Sequence, residues 1–391
     1  MEMPFSRANR NKVNLALISL SYIGCFMYGF VATGRGIIFP DLLQTFHLSD
    51  TEGSLFFSLA SATGLAANLL TYKWYPRLGP IKAMTLFSAM FAFGVFLVSF
   101  AHAFEVTLIG AAVLGFSMSG SSLLVNLLAS QATTDSTLRR QVISGLHAAF
   151  GIASMLAPLF VNALVQFGLD WRMIFAVLGL APVLITFQSM STSEIGTNHE
   201  WKTAFTEHKP WRRALWYATI CAIYVSIETM IGTRLVLYAR RDLGFDVETA
   251  NVLLSVFFLG FFLGRIQLTF FKFKHSNMAI LYLSATVSFI LFFIGLYVNP
   301  WALAACGLGF SVFYPCLMAL LTDELGEATP FAMTWCQAAQ SGAAIVMHLA
   351  VGVLSDRFGL GKTLLIGPLF FAIVIALLLL GRPNEPQAAR A

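Results

Sequence analysis

The chain has 391 residues, of which 58% are hydrophobic, 14% aromatic and only 11% charged, and its mean hydropathy is +0.76. Soluble domains carry about 25% charged residues, so there is too little charge here to cover a water-facing surface, and lipid must be much of the solvent. The formal charge of +5, from 24 Lys and Arg against 19 Asp and Glu, gives no basis for a nucleic-acid partner, because its uneven placement along the chain has another origin.

Apolar runs of about 20 residues, the length that crosses a bilayer as helix, recur along the whole sequence. About twelve lie near 13–38, 53–72, 81–100, 104–130, 141–165, 172–190, 211–236, 247–270, 277–298, 300–322, 331–354 and 361–381. No period-two alternation appears, which argues against a β-barrel. The first run is too long for a signal-peptide core and lacks a small-residue cleavage site, so it is expected to stay as helix one. It carries Tyr28 and ends on Thr33-Gly34-Arg35. Arg77 and Lys82 flank the loop before helix three, Asn126 falls in helix four, and His147 in helix five. Ser191–Pro210 is the one long polar break. Helix seven then carries Tyr224, Glu228 and Arg234, and Arg265 is placed toward the end of helix eight. Tyr314 belongs to helix ten, and Trp335, Gln337, Gln340 and His348 to helix eleven. The tail from Arg382 reads as disordered.

Several phrases occur twice in the same order. Thr33-Gly34-Arg35 is echoed by Gly232-Thr233-Arg234, Leu114-Gly115-Phe116-Ser117 by Leu308-Gly309-Phe310-Ser311, and Phe167-Gly168-Leu169 by Phe358-Gly359-Leu360. The expected fold is therefore all-α and membrane-integral, with twelve transmembrane helices in two pseudo-symmetric six-helix bundles. Residues 1–190 form the first bundle, 191–210 a cytoplasmic linker and 211–391 the second bundle. Doubled bundles of this kind place a substrate site between the halves near mid-membrane.

Lys and Arg set the orientation. With both termini cytoplasmic, the inner side holds Arg7, Arg10, Lys12, Lys73, Arg77, Lys82, Arg139, Arg140, Lys202, Lys209, Arg212, Arg213, Lys272, Lys274, Arg382 and Arg390. The outer side keeps only Arg172, Arg240, Arg241, Arg357 and Lys362, and its first loop is acidic, with Asp41, Asp50 and Glu52. A multi-pass protein of the cytoplasmic membrane follows, with a small-molecule substrate, the bilayer as partner and a monomer as the expected state. The five cysteines all fall in predicted helices without metal-ligand spacing, so they read as small core residues. No nucleotide-binding loop or zinc pattern is visible, and no Ser/His/Asp set points to an enzyme. No cofactor is expected; the energy source would be a proton or sodium gradient, another solute gradient or a separate partner.

The ionisable residues inside the spans are the site candidates, since such groups are costly in lipid. Glu228 lies several turns from either loop, where a carboxyl can gain and lose a proton; it is the coupling candidate, or else a carboxyl that only ties helices together. His147 either relays protons or is a hydrogen-bonded structural histidine. Arg35 and Arg234 present planar forks suited to carboxylates; they bind an anionic substrate, pair at an outer gate, or snorkel to headgroups. Arg265, with Arg77 and Lys82, is expected to gate the inner face. Asn126, Gln337 and Gln340 either line the cavity or bond between helices, and Gln337 and Gln340 share a helix face. Tyr28, Tyr224, Tyr314 and Trp335 offer an aromatic floor for a substrate.

Twelve spans in two related halves around a central cytoplasmic loop resemble the major facilitator superfamily. Its signature between helices two and three is matched in part by Arg77-Leu78-Gly79, where Pro76 replaces the acid. A fuller match, Gly352-Val353-Leu354-Ser355-Asp356-Arg357-Phe358-Gly359, falls instead between helices eleven and twelve. Leu146-His147-Ala148-Ala149-Phe150-Gly151 with Pro158, Glu228 with Tyr238, Gly264-Arg265, and Gly307-Leu308-Gly309-Phe310-Ser311 with Pro315 are similar to the fucose–proton symporter branch. The resemblance implies transport of a small, sugar-like solute by alternating access, coupled to protons. Two departures bear on that: Gly36 stands where the branch has an aspartate, and helix four has Asn126 but no acid. Transport of an organic anion on Arg35 and Arg234, export of hydrophobic compounds, and a non-transporting receptor or scaffold remain as other readings.

Overall fold

The computed structural model describes residues 14–70, 77–133, 136–193, 210–270 and 276–381. Twelve long helices carry the fold: α1 (Leu15–Phe46), α2 (Asp50–Leu69), α3 (Pro80–Ser99), α4 (Phe104–Gln131), α5 (Ser136–Gln166), α6 (Trp171–Met190), α7 (Trp211–Arg241), α8 (Val247–Phe270), α9 (Asn277–Tyr297), α10 (Trp301–Leu325), α11 (Thr329–Phe358) and α12 (Ile366–Leu380). A single turn at Leu360–Thr363 leads into α12. Among the described residues eleven segments are long and apolar enough to cross a membrane, the last being Leu360–Leu380, which takes in α12; α2, which opens with Asp50-Thr51-Glu52, is not one of them. Most of the expected linker (194–209), the segment 71–76 and the tail from Arg382 lie outside the described residues.

Helix starts follow local chemistry. Asn14, Ser49, Asp170 and Ser276 each accept from a backbone N–H in the first turn, and Ser49 and Glu52 form a reciprocal capping box. Two helices outrun their apolar pattern. α1 continues through Pro40 to Phe46, and α7 continues through Arg240 and Arg241. Hydropathy alone ends both near Ile38 and Val236, because it counts the charged residues beyond as loop. In the fold those charges have partners, so α1 runs on by about two turns and α7 by about one and a half.

α1 to α6 pack together as one half and α7 to α12 as the other, with α1 against α7, α2 against α11, and α5 against α8 between them. The doubled phrases mark equivalent places in part. Gly168, just past α5, and Gly359, just past α11, both have positive φ (76° and 84°), the left-handed backbone that glycine adopts freely at a helix end. The other phrase is offset. Gly115 of α4 meets the Ala60 carbonyl of α2, and its structural counterpart is Gly307 of α10 against the Phe257 carbonyl of α8; Gly309 faces Ser288 instead.

The buried apolar residues fall into two clusters. One runs through both halves, from Val31, Phe39 and Phe57 to Tyr224, Leu235, Phe257 and Phe310. The other, with Leu17, Leu20, Met84, Phe87, Leu128 and Leu146, belongs to the first half alone. The halves therefore share a core toward one end of the helices and part toward the other.

Candidate functional site

At the shared end, α1 and α7 cross closely: a Cβ added to Gly36 would lie 2.3 Å from the Gly232 carbonyl oxygen. Charged pairs fasten this end. Arg240 donates to both carboxylate oxygens of Asp41, at 2.8 and 2.7 Å, and Arg241 to both oxygens of Asp50, at 2.9 Å each. The Ser355 hydroxyl also donates to Asp50. The Asp356 carboxylate accepts from the N–H groups of Asp50 and Thr51, both at 2.8 Å. These are orphan donors of the α2 N-terminus, where a negative charge is favoured. On the α5–α8 seam, Asn162 and Gln166 donate to Glu248, and Asn251 donates to Asn162. The fuller signature match, at Ser355-Asp356, thus joins α11 to α2. The start of α8 is held by Asp246, whose carboxylate accepts from the Thr249 N–H at 2.6 Å; that bond keeps its carboxyl below the usual range.

Arg234 belongs to this end as well. Its side chain is 2% exposed, lies over the rings of Phe39 (4.3 Å) and Phe57 (5.0 Å), and donates to Ser54 at 2.8 Å. Arg35, by contrast, is only half-buried and shares its electrostatic surroundings with Tyr28, two turns away on the same helix. The two arginines are not the symmetric facing forks that the doubled phrase suggests.

Deeper between the halves lies a second group. Tyr224 and Glu228 are four apart on α7 and so share a face. The Tyr224 hydroxyl donates to the Phe310 carbonyl at 2.6 Å, and its ring stacks on Phe313 at 4.8 Å. Glu228 is half-buried beside that hydroxyl and within electrostatic reach of Arg265. Arg265, over the Phe261 ring at 4.2 Å, also reaches His147 on α5 and Cys25 on α1. Its field thus spans both halves. Sequence reasoning put Arg265 with Arg77 and Lys82 at the inner gate, near the end of helix eight. α8 continues past Arg265 to Phe270, so the guanidinium sits within the span, while Arg77 and Lys82 are exposed beside the start of α3.

The remaining candidates divide. Gln340 makes a long contact of 3.5 Å with the Tyr314 hydroxyl, and Tyr314 shares surroundings with Glu228, so these two adjoin the cluster. Tyr28 packs on Phe150 of α5 at 5.9 Å. His147 and Gln337 are exposed. Trp335 is exposed and packs edge-on against Trp211 at 5.1 Å, away from any aromatic floor with Tyr224. Asn126 is exposed and donates to the Ser122 carbonyl of its own helix, 2.8 Å away. The sequence reading missed the pairing of Asp41, Asp50 and Asp356 with α7 and α2. Its signal was present: acids at the ends of helices one and two stand at the depth of Arg240-Arg241.

Two six-helix halves, fastened at one end over a group of ionisable residues between them, define a two-bundle membrane transport protein. The sequence profile of the Major Facilitator Superfamily matches residues 21–345, and the chain belongs to that family of transporters, which are not enzymes. It is 20% identical to protein TsgA of Salmonella enteritidis over 378 residues, 94% of this chain and 95% of that protein. Its fold is similar to that of a bacterial homolog of the human lysosomal transporter Spinster, in an inward-facing and occupied conformation. The TM-score is 0.75 and the identity 14%, with 96% of this chain and 97% of the other covered. It is also similar to the E. coli fucose:proton symporter, with TM-score 0.63, 16% identity and coverages of 94% and 98%.

Proposed function

We propose that the chain is a secondary transporter of a small, polar, sugar-like solute, driven by protons through Glu228. The observation that carries this is the setting of that carboxyl. It is half-buried between the halves, beside the Tyr224 hydroxyl and within reach of Arg265. A carboxyl so placed changes its charge at a cost set by its neighbours, and those neighbours move when the halves rock. Arg265 favours the carboxylate; a conformation that withdraws it favours the acid. His147, on the opposite half and within the same field, is the second coupling candidate. Tyr28, Tyr314 and Gln340 supply hydroxyl and amide partners for the solute.

The fastened end is the outer face of the cytoplasmic membrane and both termini are cytoplasmic, an orientation supported by the Lys and Arg bias of the loops. The described conformation is then inward-facing, and transport is the rocking of residues 1–190 against 211–391 across the linker. Solute identity is read first by thermal stabilisation of the purified protein, since a ligand of the folded state raises its apparent stability. Neutral sugars and polyols should stabilise it. An inward proton gradient should then drive uptake of the stabilising solute into proteoliposomes. Accumulation driven by sodium and indifferent to protons would overturn the coupling, and stabilisation by lipophilic compounds alone would overturn the solute class.

A further inference from the structure

Beneath the fastened end Arg234 and His348 pack on the same Phe57 ring with no carboxylate between them. Arg234 and His348 are each 2% exposed, and Arg35 lies on the neighbouring helix. His348 is within electrostatic reach of both arginines, and its ring stacks on Phe57 at 5.0 Å, the same ring that underlies Arg234. In each residue a buried nitrogen lacks a hydrogen-bond partner: Arg35 Nε, Arg234 Nη1 and His348 Nδ1. Arg234 spends one N–H on Ser54 and rests its face on two rings. The acid nearest in the field, Asp50, has both oxygens committed to Arg241 and one to Ser355. A guanidinium stays charged at any accessible pH. Buried charge without a counter-charge, and buried N–H groups without acceptors, are both costly. An acceptor carrying a negative charge beside the shared Phe57 ring would serve Arg234 and His348 and be drawn further by the charge of Arg35.

We propose that Arg234, His348 and Arg35 together hold one small monovalent anion, a halide or the carboxylate group of a carried solute, trapped while this end is closed. The site goes beyond the proton and solute reading above and stands without it, since it shares no residue with Glu228, Arg265 or His147. Its anion joins α1, α7 and α11, the helices of both halves, so occupancy favours the closed end. Opening this end releases it. The Phe39 and Phe57 rings make the site narrow and poorly hydrated, which suits a weakly hydrated monovalent ion over a divalent one.

The test is thermal unfolding of the detergent-purified full chain in sodium chloride, sodium acetate or the bulky sodium morpholinoethanesulfonate, at constant ionic strength. A saturable rise in midpoint with chloride supports an inorganic anion. A rise with acetate but not chloride supports a solute carboxylate. His348→Gln and Arg35→Gln should each raise the half-saturating concentration about tenfold, the scale of one charge-assisted hydrogen bond lost. Chloride NMR line broadening by the wild-type protein provides a readout that needs no variant, and acetate should relieve it. Equal midpoints in all three salts with no broadening, or saturation unchanged in both variants, would overturn the proposal and leave water and the two rings as sufficient partners.

Discussion

The fastened end and the deeper cluster use the same residue types in opposite ways. At the fastened end, Asp41 meets Arg240 and Asp50 meets Arg241 in two-pronged pairs, and Asp356 caps α2. Asp41 and Asp50 there each have a two-pronged cationic partner and lie near a helix end, where water can receive them when the halves part. In the cluster, Glu228 is shared among Tyr224 and Arg265, and Arg265 among Glu228, His147 and Cys25. The groups in this field come from both halves, α1 and α5 on one side and α7 and α8 on the other. Committed pairs store a conformation; shared charges respond to one. That contrast separates the latch from the cluster to which the proposed function assigns coupling.

The largest effect should come from the shared group. Glu228→Gln removes the one titratable acid of the cluster and keeps its shape. Gradient-driven accumulation in proteoliposomes should vanish while solute exchange across equal pH persists. Unchanged accumulation would move coupling elsewhere and erase the contrast. Next comes the latch: Asp50→Ala strands Arg241 and frees Ser355. Breaking a buried pair by removing one partner costs 3–5 kcal/mol, but Arg241 is 41% exposed, so about 2 kcal/mol is expected. A cysteine placed in the seam should become reactive to a membrane-impermeant thiol reagent in the variant but not in the parent.

A backbone change sharpens the same point without touching charge. Gly36→Ala puts a methyl 2.3 Å from the Gly232 carbonyl, a contact that backbone cannot relieve by a rotamer. Closure should weaken by roughly 1–3 kcal/mol, as for overpacking, and seam reactivity should rise as it does for Asp50→Ala. Reactivity equal to the parent would show that α1 and α7 separate without cost. The smallest effect concerns Asp246, an exposed cap outside both regions. Its carboxyl is held low by the Thr249 N–H. Its contribution is therefore present above the ordinary carboxylate range and lost as pH falls through its lowered value. Asp246→Ala should lower the thermal midpoint slightly near neutral pH and make no difference in strong acid, while transport stays as in the parent.

Much of the architecture was legible in the chain itself. Run lengths marked twelve helices, and the Phe-Gly-Leu phrases after helices five and eleven marked equivalent ends that share a left-handed glycine. Within the site, Glu228 stood out because an acid inside a span has few tolerable reasons to be there. Other residues have surroundings that residue type and position alone do not reveal. Trp335 looked like an aromatic floor and instead packs on Trp211, because residue type does not fix the direction of a side chain. Arg265 stands near the end of α8, as its place in the sequence indicated, but only packing shows that its field reaches His147 and Cys25 of the other half. Arg35 and Arg234 end similar phrases, and only packing makes one half-buried and the other fully buried over two rings.

The sequence by itself determined the solvent, the number of helices and their grouping in halves. Those follow from the cost of placing backbone and charge in hydrocarbon, which acts on each segment alone. Tertiary structure decided which charges are latched and which are shared. Helices distant in the chain bring Asp50 to Arg241 and Arg265 to Glu228, and electrostatic energy depends on distance and burial, quantities that only packed helices possess.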